Sequence, residues 1–409
     1  MKRIGDALRE TMQLFAAFEN GVSVSLDDAR GCFVSSAREA AVDVPPFDAS
    51  VVDGYAVRAS DVTTRCALRV EGESRAGGPW PAPLGERTTM RVFTGAPIPA
   101  NADAVVMQEV VTRDADLARF EHAVAQGASI RRRGSDVTAG DRLLGPDVPV
   151  DAGVIGLLAS QGYSSIGVRR RPRVGIVTTG DEVSTEPSTK REPLPAGKLH
   201  DSNGPMLYAL TRDAGAVVSA RVHARDDHDD TVAAIEHAYD VSDVVLTVGG
   251  ISVGDHDLVH AALAKLGVER KLWKVRMKPG KPLAVGVKNR VPIIGLPGNP
   301  VSAWVGFEVF VRPGLRRMLG DPRPYRRVVE VLLGASIRGT KDRTELARAR
   351  IDDDGVAWPH AKQGSSALTS VTNVDALLIL PEREREVAVG ERVRAMLLDG
   401  RGSAQPPFP

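Results

Sequence analysis

From Arg173 to about residue 320, short apolar runs alternate with segments whose apolar positions recur at helical spacing, and this alternation limits the fold more than any other feature. VGIVTTG, AVVSARVHA, DVVLTVGG, KLWKVRM, LAVGV and VPIIGLPG read as strands, while SNGPMLYALTRDAG, DDTVAAIEHAYD, DLVHAALAKLG and WVGFEVFVRPGLRRML read as helices. A strand as continuously apolar as DVVLTV suits a sheet covered on both faces. The pattern predicts a doubly wound α/β domain with right-handed crossovers. Ser202 or Asn203 is available to cap one helix, Pro205 falls in its first turn and Gly215 stops it; Pro313 is placed to kink the last helix.

On either side the texture is β. From Tyr55 to about Asp141, stretches such as LRVEG, TMRVF and AVVMQEVV are separated by Gly, Pro and Asn, which predicts an all-β unit. After about Asp321, RRVVEVLLG, TELARARID, GVAWP, ALLILPE and EVAVGERVRAML predict a small barrel or sandwich. Residues 4 to 40 read as helical, with Ile4, Leu8, Met12 and Phe15 on one face. VPPFDASVVDGYAVR is a proline turn leading into a polar loop, and DAGVIGLLASQG a capped helix ending at glycine. GSAQPPFP reads as a frayed tail.

At 409 residues the chain has room for two to four domains. It carries 53 basic against 52 acidic side chains, so no global field favours nucleic acid or an anionic membrane, and anion binding must be local. Two basic runs, Arg131 to Arg133 and Arg169 to Arg173, are ordinarily solvated strand or linker faces; phosphate contact is the rival reading. Cys32 and Cys66 are the only cysteines, which excludes a disulfide framework and a cysteine-based zinc site. No run approaches the roughly 18 apolar residues a bilayer requires, and MKRIGDALRETMQLF lacks the apolar core of a signal peptide. The expectation is a cytoplasmic protein.

In an open α/β sheet, ligands bind in the crevice outside the carboxyl ends of the strands. TTGDE, with Asp181 and Glu182, follows the first strand, and Arg225, Asp226 and Asp227 follow the second. Gly249, Gly250, Ser252, Gly254, Asp255 and Asp257 follow the third; Lys278 and Lys281 come after KLWKVRM, and Pro297, Gly298, Asn299 and Pro300 after VPIIGL. These loops are expected to share one rim.

Each group suits phosphate chemistry. The small residues of GGISVGD let backbone N–H groups approach an anion, although such a stretch also serves as an ordinary turn. Lys278 and Lys281, held by prolines, are point charges suited to oxyanion oxygens. Asn299 opens a helix and has a capping role as its rival. So many acids beside an anion would repel it unless a hard cation intervened, which suggests Mg²⁺ on one or two carboxylates plus substrate oxygens. Taken singly, Asp229 and Asp257 stand where helix caps belong. A Walker loop, GxGxxG and HExxH are all absent, and His200, His223, His228 and His256 near the rim are read as incidental.

PPFDASVVDGYAVR, RVFTGAPIP with AVVMQE, RRRGSDVTAGD, TTGDE, HDSNG, RDD, TVGGISVGDHD, WKVRMKPGKP and LPGNPVSA occur in the order seen in the MoeA family, the molybdopterin molybdotransferases, and the chain resembles that family over nearly its whole length. The resemblance implies a segmented linker and dimerisation region (1–47 and 141–171), an inserted β domain (48–140), the α/β domain (172–322), a C-terminal β-barrel (323–402) and a tail (403–409). It implies a homodimer whose site is completed by the partner subunit, contacts with molybdopterin adenylyltransferase and apo-molybdoenzymes, and a reaction on adenylylated molybdopterin and molybdate that releases AMP and leaves the molybdenum cofactor.

Carried over by motif, Asp53, Thr94 and Asp136 resemble polar groups reaching the site from the inserted domain. Glu182, Asp227 and Asp257 match the family's acids, and Lys274 and Lys278 its lysines, with Lys281 alongside. Arg348 and Ser365 resemble its C-terminal arginine and serine, although the aromatic usually found before that arginine is missing. On this reading Mg²⁺, held by Asp227, Asp257 or Glu182, polarises the adenylate link, Lys278 and Arg348 neutralise developing charge, and Glu182 positions a water or an oxyanion ligand. The alternatives are the adenylyltransferase activity of a sibling family with a similar α/β domain, and a scaffold role, since a fused animal relative anchors membrane receptors.

Overall fold

The computed structural model describes residues 1–185, 194–250, 258–382, 385–400, 402–403 and 405–408. Its central sheet has six strands, in the order Val217–Ala224, Arg173–Thr179, Val244–Val248, Val291–Leu296, Ala284–Lys288 and Glu269–Trp273. The first four run parallel; Ala284–Lys288 is antiparallel to both of its neighbours. The sheet is therefore mixed. Its turning point is the two-residue hairpin Asn289–Arg290, with φ of 47° and 70°, a left-handed pair that joins Lys288 to its register partner Val291. Because Glu269–Trp273 is antiparallel to an antiparallel strand, it again points the same way as the first four.

Successive strand residues enter opposite cores. Val174, Ile176, Val244, Leu246, Ile294 and Leu296 pack on one face with the helix Ile4–Met12, Leu207, Val301 and Phe307; Val177, Val245 and Ile293 pack on the other with Ile235 and Val259. Ile4, Leu8, Met12 and Phe15 are all buried, as their spacing predicts. The helix nevertheless ends at Met12. Residues Gly21–Ser25 form a strand antiparallel to Ser165–Arg169, so residues 4 to 40 are not one helical stretch: GVSVS alternates with period two, and its valines favour pairing. The last helix is broken into Pro300–Gly306, a π-helical turn Phe307–Val311 and Arg312–Met318; the widened turn precedes Pro313, which has no N–H to give.

In the inserted unit, Gly54–Val57 lies between Thr88–Val92 and Ala104–Met107 in a second six-stranded sheet. The C-terminal strands close into a barrel: Thr344–Ile351, Val356–Pro359, Val328–Leu333, Arg392–Leu397 and Ala376–Leu380, the last pairing back to the first. Ala347, Ala349, Leu378 and Leu380 fill its interior, while the alternate residues Leu346, Leu377 and Ile379 join the core of the α/β domain. The tail is not frayed. Phe408 is buried in that shared core, Ser403 pairs with Tyr325, and Arg394 donates to the Pro407 carbonyl at 2.6 Å, because one aromatic side chain hides enough apolar surface to dock the segment.

Candidate functional site

The shared strand direction places the polar loops. Gly180 to Glu182, Arg225 to Asp227, Gly249 and Gly250, and Pro297 to Asn299 all leave the carboxyl ends of parallel strands. The segment from Lys274 to Lys281 joins the same rim, since Trp273, Ala284 and Gly295 are neighbours across the ladder. KLWKVRM is not one strand. Lys274 takes φ 72°, ending the run, and Met277–Lys278 crosses to pair in parallel with Thr344–Glu345 of the barrel. Two glycines are required here. A Cβ on Gly249 (φ 90°) would sit 2.8 Å from Thr179 Oγ1, and one on Gly280 (φ 97°) 2.5 Å from Met277 Cε. Ser252, Gly254 and Asp257 lie outside the described residues.

The acids are unequally engaged. Asp181 and Asp226 each accept the other's backbone N–H at 3.1 Å, locking two adjacent loops. The helix His228–Asp240 is capped by Asp227, not Asp229: its Oδ1 accepts from the N–H groups of Asp229 and Asp230 at 3.0 and 2.9 Å. Glu182 is exposed, its carboxylate folded over Gly180. Among the described residues no three His, Cys, Asp or Glu side chains cluster closely enough to hold a metal by themselves. Glu182 is open and Asp227 commits only Oδ1 to the cap, so each has carboxylate oxygen of the kind a hard cation takes when substrate oxygens and water complete its shell.

A pocket of about 290 Å³ lies between this rim and the barrel, and Lys278, Lys281, Pro297, Asn299 and Ser365 all line it. Asn299 occupies the N-cap position of Pro300–Gly306 without a capping side-chain bond, so its amide stays available to the pocket. Asn203, considered as a cap for its own helix, instead donates to the Gly298 carbonyl at 2.8 Å, while Asp201 accepts from Gly204 N. Val301 N donates to the Ser365 carbonyl at 3.2 Å and ties the two walls together.

Arg348 does not open into this pocket. It is 1% exposed and donates to Ser370 Oγ and to the carbonyls of Lys362 and Gly364, each at 3.2 Å. Burial pulls its pKa below the usual guanidinium value, and the charge of Glu345 opposes that shift. Its work is to shape the loop that presents Ser365. Arg343 and Gln363 line the pocket and were missed by sequence reasoning, as was Glu345, whose Oε1 lies 3.0 Å from Lys278 Nζ. The one signal was the acid three residues before Arg348.

Asp53, Thr94 and Asp136 are not brought to the pocket within the chain; none of them lines it. Gly54 pairs with Val92, so Asp53 and Thr94 extend from neighbouring strand ends, and Asp53 Oδ1 accepts from both Thr94 N and Thr94 Oγ1 at 2.8 Å. The backbone bond first, then the hydroxyl, holds the Asp53 pKa below the ordinary carboxylate value. Asp136 is exposed on the turn beside Val44.

Family models match three consecutive stretches: the MoeA N-terminal region (domain I and II) at residues 3–162, a probable molybdopterin binding domain at 175–317, and the MoeA C-terminal region (domain IV) at 330–398. Molybdopterin molybdenumtransferase 2 of Mycobacterium tuberculosis is 36% identical over 91% of this chain and 94% of that protein. The molybdopterin molybdenumtransferase of Bacillus subtilis is 34% identical over 94% and 91%. Among solved structures, the molybdopterin biosynthesis moea protein from Pyrococcus horikosii superposes with a TM-score of 0.82 at 30% identity, covering 98% of this chain and 99% of that one. The chain belongs to the MoeA family and is an enzyme of the molybdopterin molybdenumtransferase type.

Proposed function

We propose that the protein inserts molybdate into adenylylated molybdopterin in a Mg²⁺-dependent reaction that releases AMP and leaves the molybdenum cofactor. The observation that carries this reading is the pocket in which Lys278, Lys281 and Arg343 face Asn299 and Ser365, a set of cationic and neutral hydrogen-bonding groups suited to a tetrahedral dianion. Lys278 and Lys281 bind and orient oxyanion oxygens. Asn299 and Ser365 supply neutral contacts that fix its orientation, and the loop braced by Arg348 keeps Ser365 in place.

Glu182 and Asp227, with Asp257, would hold Mg²⁺, which when bound polarises the phosphate of the adenylate link. Glu182, free of the cap that engages Asp227, orients water towards that phosphate. Lys274, at the start of the segment that carries Lys278, would add positive charge as AMP departs. Asp53, Thr94 and Asp136 enter the site from the partner subunit of a homodimer, a reading favoured by their not lining the pocket of their own chain.

Purified protein mixed with adenylylated molybdopterin, Mg²⁺ and molybdate is expected to release AMP and to activate an apo-molybdoenzyme. A folded Glu182→Ala variant that released AMP at the parental rate would overturn the assignment. Incubation with ATP and unadenylylated molybdopterin, which only the sibling adenylyltransferase should convert, tests the rival; the match of both flanking regions favours the later step.

A further inference from the structure

We propose that Glu345 is the positioning residue for Lys278, carrying that lysine from the α/β domain into a fixed place against the barrel; the inference rests on the pocket being the oxyanion site. Lys278 and Glu345 are register partners in the short parallel ladder between Met277–Lys278 and Thr344–Ile351, and their side chains close it with a 3.0 Å ion pair. The pair is lopsided. The Glu345 side chain is 5% exposed and the Lys278 side chain 41% exposed at the pocket. Thr344 N donates to the Arg276 carbonyl at 3.1 Å, and Arg276 pairs with Glu382 at 2.6 Å, so the crossing segment is fastened to the barrel two residues before the lysine.

Glu345 shares its strand face with Ala347 and Ala349, which point into an apolar barrel interior. Its Oε2 is buried and has no hydrogen-bond partner among the described residues. A carboxylate in such a place is costly unless a cation answers it, and Lys278 is the cation in contact. The converse matters more for function. A lysine on a four-carbon stem has many rotamers, and Glu345 accepts one of its three ammonium donors, leaving two for the pocket. Glu345 also subtracts a charge from the place where an anion must bind. It therefore trades oxyanion affinity for alignment, and removing its charge should lower turnover without weakening the anion's hold.

The test compares Glu345→Gln, Lys278→Gln and the double variant, with melting curves to establish folding. Molybdate KM and kcat are read from AMP release and cofactor formation, and tungstate binding to the protein alone is read by calorimetry. Glu345→Gln is expected to lower kcat about 10- to 100-fold with molybdate KM and tungstate affinity unchanged or improved, and to add nothing in the Lys278→Gln background. Glu345→Leu, which replaces a buried carboxylate whose Oε2 has no hydrogen-bond partner with apolar volume, should keep the fold and show the same kcat loss. Effects that multiply in the double variant, or a Glu345→Leu protein with parental kcat, would mean that Glu345 only braces the barrel. Parental activity in Lys278→Gln would instead remove the pocket assignment, and the inference with it.

Discussion

The two rims of the central sheet are both dense in charge, yet they use it in opposite ways. At the amino rim Arg170 donates through both terminal nitrogens to Asp243 at 2.6 and 2.8 Å, and Arg173 N reaches the same carboxylate at 2.8 Å. Arg169 is closed onto Asp147, and Arg171 onto the carbonyls of Gly215 and Arg30. The basic run that allowed a phosphate contact is consumed in fastening the N-terminal region to the sheet. At the carboxyl rim Lys281 and Glu182 stay exposed, and Lys278 remains partly open at the pocket. A charge run is a site only where topology leaves its members open or partly open; where each is closed onto acids or carbonyls, it is a joint.

Arg348 offers the severest way to break that distinction, because the family resemblance places it with the open charges and the structure with the closed ones. Arg348→Ala should cost about 3 kcal/mol in denaturant unfolding, since it strands buried acceptors at Lys362, Gly364 and Ser370. Activity should fall with stability. Arg348→Lys should recover little, because an ammonium cannot reproduce a fork that reaches three acceptors. If Arg348→Ala unfolded like the parent while activity collapsed, the guanidinium would be acting on substrate and the comparison would be wrong at this residue.

Asp243 gives the next largest effect, and it is read by pH alone. Burial works to raise its pKa, but the side-chain bonds from Arg170, the Arg173 N–H and the Arg173 side chain hold it at about 2. A carboxyl depressed in the folded state contributes stability above its unfolded pKa of about 3.8 and loses it as pH falls through about 2. The contribution should approach about 2 kcal/mol near neutrality and disappear in Asp243→Asn. A flatter unfolding profile between pH 5 and 2 in that variant is the expected result; identical profiles would mean that the amino rim is not closed in solution.

Legibility from sequence followed the same division. The carboxyl-rim loops could be gathered because strand polarity is a local inference and the crevice rule then acts on every loop at once; the antiparallel hairpin at Asn289–Arg290 left the outcome intact only because a second reversal restored the direction of Glu269–Trp273. The barrel wall was far less legible. Nothing local announces that Met277–Lys278 leaves one sheet to pair with Thr344–Glu345, so Arg343, Glu345 and Gln363 had no reason to be picked, and an arginine inside LARAR looks the same whether it faces a ligand or a carbonyl. Phe408 misled for a similar reason: a proline-rich end reads as loose until the groove that receives its aromatic ring is known.

Asp227 is the finest test, since it stands on the open rim yet does closed work. Its Oδ1 caps a helix through two backbone N–H groups, so Asp227→Ala confounds a lost cap, about 1 kcal/mol, with a lost charge. Asparagine separates them. A side-chain amide oxygen accepts the same two bonds, so Asp227→Asn should melt within a few tenths of a kcal/mol of the parent, while the charge available to a cation is gone. A fall in AMP release with stability preserved would place Asp227 among the open charges. Parental activity in Asp227→Asn together with reduced stability in Asp227→Ala would make it a cap alone, and the rim's acidic contribution would then have to come from Glu182 and its neighbours.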